Sequence, residues 1–258
     1  MAALFCLNLL ITIHSLQIWQ WAALFLGAAT IGLAKTGIPG IGIFAVALFA
    51  TVVPARESTG LILPLLIVGD CVAVSSYFRH AVWSHLWRLF PWAVTGILLG
   101  FFAMGQLNSY DVGKLIGVIL VIMVVMHIWR RYYMKSDEVP QGIWFAAGMG
   151  LLAGFTTMVA NAAGPIMVLY LLAMALPKME FMGTAAIYAF ILNWFKVPLS
   201  HHLGLITPHS LGLDLALAPM IIIGALGGRK LLPVINQNYF EWLALGLTVL
   251  AAFKLLVF

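Results

Sequence analysis

Charge is what this chain has least of. Acidic and basic side chains make up only 8% of its 258 residues, while 64% are hydrophobic. An ordinary soluble domain is about 25% charged. So few charges cannot cover a water-facing surface, whereas a lipid-facing surface needs few. The composition excludes a soluble globular domain and predicts an all-α polytopic membrane protein. Alternation of apolar and polar residues is also missing, which excludes a transmembrane barrel. Cysteine is scarce too. Cys6 and Cys71 lie in separate apolar stretches without disulfide or metal-ligand spacing, and both read as buried free thiols.

Enzyme signatures are absent. There is no H-E-x-x-H, no G-x-S-x-G and no Walker-type phosphate loop. Asp70 is the one aspartate read as lying within a membrane segment, since Asp111, Asp137 and Asp214 read as at or near loops. An enzyme, a cofactor and a resident metal are therefore not expected. The net charge of +5 is scattered over short connectors rather than gathered on a face, so nucleic acid is not an expected partner. Residues 1–13 lack the cationic start and cleavage site of a removable signal and read as an extension of the first helix.

What is present is a series of apolar segments, at about 17–34, 38–53, 58–76, 86–105, 112–129, 142–158, 161–176, 181–199, 209–228 and 239–257. Each is predicted helical, because a helix satisfies its own backbone groups in lipid. The connections are short. The most polar, residues 130–141, divides a single transmembrane domain (1–258) into two halves, 17–129 and 142–257.

The halves repeat. Pro54-Ala-Arg-Glu57-Ser-Thr-Gly60 matches Pro177-Lys-Met-Glu180-Phe-Met-Gly183 at an offset of 123, and at that offset Asp70 corresponds to Asn193. Two glycine-rich breaks, Gly32–Gly42 and Gly154–Pro165, line up to within a residue. Placing Arg130, Arg131 and Lys135 in the cytoplasm also places Lys35, Arg79, Arg88, Lys178, Arg229 and Lys230 there. The positive-inside bias then holds in both halves, which predicts inverted repeats with both termini outward. The first two segments of each half read either as full spans or as a glycine-broken hairpin. Arms of about 16 residues rise only about 24 Å, which favours the hairpin.

The breaks are the candidate substrate site. Glycine and proline release backbone N–H groups, and the helix dipole makes the start of the next half-helix attractive to anions. The second segment is expected to start at about Thr36–Pro39 and the seventh at about Ala162–Pro165, with each proline in a first turn. Lys35, Thr36, Gly37, Pro39 and Gly40 mark one break; Thr157, Asn161 and Gly164 mark the other. Lys35 reads either as an intramembrane cation or as an interfacial, snorkelling one. Asp70 lies mid-segment, where no carboxylate can snorkel. It reads as a proton-coupling group or as the ion-pair partner of Lys35 or Lys196. Asn193 and Lys196 share nearly one face of their helix, and Lys196 is a further candidate anion contact. His201 is a candidate proton carrier because histidine titrates near neutrality.

A glycine-rich break, then P-x-x-E-x-x-G leading a helix with a polar residue inside it, occurs twice. With Asn193-Trp-Phe-Lys196 and His201-His202-Leu-Gly204, this pattern resembles the sulfite exporter TauE/SafE family, also called the toluene sulfonate uptake permease family. The resemblance covers about 21–256. The first break here reads Lys35-Thr-Gly-Ile-Pro-Gly-Ile-Gly42 rather than a run of glycines ending in proline. The resemblance implies a permease for small sulfur-containing anions such as sulfite, thiosulfate, sulfoacetate or other organosulfonates, multi-pass in the bacterial inner membrane. Its partners would be that anion and the lipid bilayer, with a homodimer left open. An anion channel is the alternative, and a cation permease a weaker one, since a cation path should show several intramembrane carboxylates.

Overall fold

The computed structural model describes residues 16–39, 41–53, 55–104 and 142–236, with Val125 and parts of 238–253. The predicted segments at 112–129 and 239–257, the connector 130–141, Cys6 and Gly40 lie outside the described residues or largely so. All regular structure described is helical: α1 (Ile18–Thr36), α2 (Gly42–Val52), α3 (Ala55–Tyr77), a 3-10 turn (Phe78–His80), α4 (Trp83–Met104), α5 (Ile143–Ala160), α6 (Ala163–Ala173), α7 (Lys178–His202) and α8 (Pro208–Leu231). Among the described residues, four stretches are long and apolar enough to cross a membrane: Glu57–His80, Trp83–Met104, Ile143–Ala160 and Ser210–Leu231. Apolar side chains such as Trp87, Phe102, Leu215 and Ile223 stay exposed along these helices, as lipid contact requires. The chain is a multi-pass membrane protein. Trp19, Trp83 and Trp144 stand at helix starts, where an amphipathic ring anchors at the membrane–water boundary.

The arms at the two breaks are unequal, against the expectation of about 16 residues each. The first helix of each half has 19 or 18 residues and the second has 11 in both. Eleven residues rise about 16 Å, roughly half the hydrocarbon thickness. The reason is local. α1 keeps its helical ladder through Thr36, and α2 starts only at Gly42, so Pro39 lies in the turn between them rather than in a first helical turn. Pro165 does fall in the first turn of α6.

α1 packs along α8, and α4 along α5, through reciprocal glycines. Gly32 faces the Ile221 carbonyl and Gly224 that of Ala29; Gly96 faces Leu151 and Gly154 faces Ala93. A Cβ at any of these would strike backbone. α3 and α7 run antiparallel. Gly60, near the start of α3, abuts the backbone of Leu205 just past α7, and Gly183, near the start of α7, abuts Tyr77 and His80 at the end of α3. The glycine of each P-x-x-E-x-x-G is therefore demanded by the opposite helix end. Glu57 and Glu180 sit in the first turns of α3 and α7, where a carboxylate suits the helix N-terminus.

Among the described residues, the buried apolar side chains form two cores. One is built on α1, α2, α3 and α8, the other mainly on α4, α5, α6 and α7. Each thus joins three consecutive helices of one half to the fourth of the other. Cys71, expected to be buried, is exposed on α3 instead, because it follows Asp70 by one residue and so turns about 100° away from the interior.

Candidate functional site

The second break is shaped by Asn161. Its backbone is left-handed, with φ of 51°, a conformation asparagine tolerates better than most residues. It ends α5: the Asn161 N–H donates to Thr157 O at 3.1 Å and the Ala162 N–H to Thr156 O at 3.2 Å. α6 then starts at Ala163 without a side-chain cap. At the first break the Gly37 and Ile38 N–H groups both donate to Leu33 O, at 2.9 and 3.1 Å. α2 also starts without a side-chain cap. Among the described residues, both short helices thus begin without a capping side chain for their first backbone donors.

The two breaks meet. One cavity of about 150 Å³ is lined by Lys35, Pro39 and Gly42 from the first, and by Thr157, Asn161, Ala163, Gly164 and Pro165 from the second. α3 contributes Ile62 and Leu66, and α7 contributes Phe181, Met182, Tyr188, Leu192 and Asn193. The volume is below the roughly 300–1,000 Å³ of sites for drug-sized ligands. It suits a small solute. The wall is largely apolar, with its polar residues set at the breaks and at Tyr188 and Asn193.

Behind that wall lies a buried polar network. Lys35 Nζ stands 2.6 Å from Asp70 Oδ1, with the lysine side chain 16% exposed and the aspartate fully buried. The contact is an ion pair. Asn193 Nδ2 donates to the other oxygen, Asp70 Oδ2, at 2.6 Å. Of the two cations the sequence left open as partners of Asp70, Lys35 is the one at ion-pair distance. Lys196 is 1% exposed. Its ammonium donates to Thr157 O and Thr157 Oγ1, both at 3.0 Å, and to Asn161 Oδ1 at 2.7 Å. These three acceptors use all three of its protons. Asn161 Nδ2 in turn donates to Thr59 O on α3 at 2.9 Å. Lys196 and Asn161 therefore lace the second break to both central helices.

Lys35, Pro39, Thr157, Asn161, Gly164 and Asn193 line the cavity, and Asp70 and Lys196 are bonded to lining residues. Thr36 and Gly37 do not line it. Thr36 Oγ1 donates to Ala225 O on α8 at 2.6 Å, and the Tyr77 hydroxyl donates to Thr36 O at 2.6 Å. Gly37 abuts Gly228. Both residues fasten the end of α1 to its neighbours. His201 is exposed near the end of α7, about 12 Å of helix rise beyond Asn193.

Two buried groups escape the sequence reading. Tyr188 passes for one more aromatic in an apolar run, yet it lines the cavity. Asp214, expected at or near a loop, lies inside α8 at 6% exposure, with neither oxygen hydrogen-bonded among the described residues. It follows the helix start by two turns, and the apolar residues around it are the only sequence sign of its burial.

No curated protein matches the chain, and no solved structure does. A family model, Sulfite exporter TauE/SafE, matches residues 23–255. That span takes in both breaks, both central helices and every lining residue of the cavity. The chain belongs to the sulfite exporter TauE/SafE family, whose members are membrane transporters of sulfur-containing anions.

Proposed function

We propose that this chain is a secondary transporter of small sulfur oxyanions in the bacterial inner membrane, coupled to protons and working by alternating access. The observation that carries the proposal is the single cavity shared by the two breaks, with Lys35 in its wall and a buried carboxylate behind it. An entering anion is drawn to the Lys35 ammonium and to the uncapped N-termini of α2 and α6. It thereby competes with Asp70 for Lys35. A fully buried carboxylate that loses its cation is strongly penalised, and a proton removes the penalty. Anion binding and proton binding to Asp70 thus favour each other. The apolar wall suits a sulfonate carrying a short organic group.

Inverted repeats account for the geometry. Asp70 and Asn193 are separated by 123 residues, the repeat offset, and they touch. Equivalent residues of two halves meet only near the axis relating the halves. Antiparallel α3 and α7, the paired Gly60 and Gly183 contacts and the two matched 11-residue helices fit the same relation. Helices of about half the membrane thickness fit re-entrant hairpins whose tips meet near the midplane. The two cores would rock against each other about α3 and α7, opening the cavity to either side in turn.

Purified protein in vesicles should take up a sulfonate or sulfite with saturable kinetics, and an inward proton gradient should drive accumulation. Flux that never saturates would favour the channel reading. Uptake of no sulfur anion at all would sink the proposal.

A further inference from the structure

The geometry points to Tyr188 as a hydrogen-bond donor to the transported anion, a role that rests on the transport reading above. Tyr188 lines the cavity and is 1% exposed. Its ring is held: it stacks on Phe90 of α4 at a centroid distance of 5.8 Å and an interplanar angle of 17°. Its hydroxyl is buried and has no hydrogen-bond partner among the described residues. A nearby phenol shows what satisfaction looks like, since the Tyr170 hydroxyl is 3.1 Å from His85 Nδ1. An unmatched buried hydroxyl is a standing penalty to the fold. A ligand oxygen that enters the cavity and reaches the hydroxyl removes it. Sites built in this way trade stability for binding. Tyr188 lies five residues before Asn193 on α7, about 7.5 Å along the helix. It therefore sits at a different level of the cavity from the Lys35–Asp70 pair and reaches a part of the substrate that the lysine does not.

The test is Tyr188→Phe, which keeps the ring and its stacking and removes one oxygen. Two readouts should move in opposite senses. The KM for uptake should rise about tenfold, the worth of one hydrogen bond to a charged group, with maximal flux little changed. The thermal midpoint of the substrate-free protein should hold or rise, and the shift produced by saturating substrate should shrink. An unchanged KM, with parent uptake intact, would overturn the assignment while leaving the transport reading in place. A fall in the substrate-free midpoint with KM unchanged would overturn it too, and would assign the hydroxyl a structural role. If the parent protein moves no sulfur anion, the failure belongs to the transport reading; if it moves one, the variant alone decides the role of Tyr188.

Discussion

Replacing Lys35 with alanine is expected to lower sulfonate uptake at least about thirtyfold. Truncating one member of a desolvated charge contact costs about 2–5 kcal/mol, and each 1.4 kcal/mol is about a factor of ten. The lysine side chain is 16% exposed, so solvent screens little of its charge. The same substitution strands Asp70, which is fully buried and keeps only the Asn193 amide. Breaking a buried pair from one side destabilises by about 3–5 kcal/mol. Loss of uptake could then reflect loss of fold. The double variant Lys35→Ala/Asp70→Asn separates the two, since it removes the stranded charge. It should regain most of the thermal stability and none of the uptake. A folded double variant that still transports within tenfold of the parent would show that Lys35 does not handle the substrate.

The second large effect is expected from Asp70→Asn alone. Here the lysine keeps its charge and loses its counter-ion. With no carboxylate to compete, the anion should bind as tightly as in the parent or more so. The proton gradient, having no carboxyl to load, should no longer drive accumulation. Substrate should equilibrate down its own gradient and stop there, at any external pH. Because the variant holds an unpaired, mostly buried ammonium, its thermal midpoint should fall in buffer and recover with saturating sulfonate, which supplies the missing charge. Retained pH-driven accumulation in this variant would move the coupling group elsewhere, and Asp214 would be the next residue to change.

The parts of this molecule that a sequence discloses are those fixed by local chemistry. The repeat is legible because Gly60 and Gly183 each face backbone at a helix end, where no side chain fits. Membrane insertion is legible because lipid tolerates few charges. Asp70 is legible because a mid-segment carboxylate cannot reach water. The rest depends on which helices become neighbours. Lys35 and Lys196 were equally good partners for Asp70 on paper. Only the packing of α1 against α3 assigns the first, and only the reach of α7 to the second break gives Lys196 its three acceptors. Thr36 and Gly37 belong to a break and look like ligands, but α8 lies against that side of the chain and claims them. Tyr188 and Asp214 were hidden for opposite reasons. The ring of one counts as apolar until its hydroxyl is seen to be unmatched, and the charge of the other counts as solvated until α8 is seen to bury it.

The contact between Asp70 and Asn193 has a consequence for electrical balance. Two identical halves would bring two carboxylates face to face at the crossing of α3 and α7. The chain instead places one carboxylate there and one amide that cannot ionise. On the proposed mechanism that crossing carries one proton per cycle, and no more. A sulfonate bears one negative charge, so anion and proton together move no net charge. The cycle would be electrically silent for a sulfonate and would answer to the pH difference across the membrane alone, whereas a doubly charged anion would also have to work with or against the voltage.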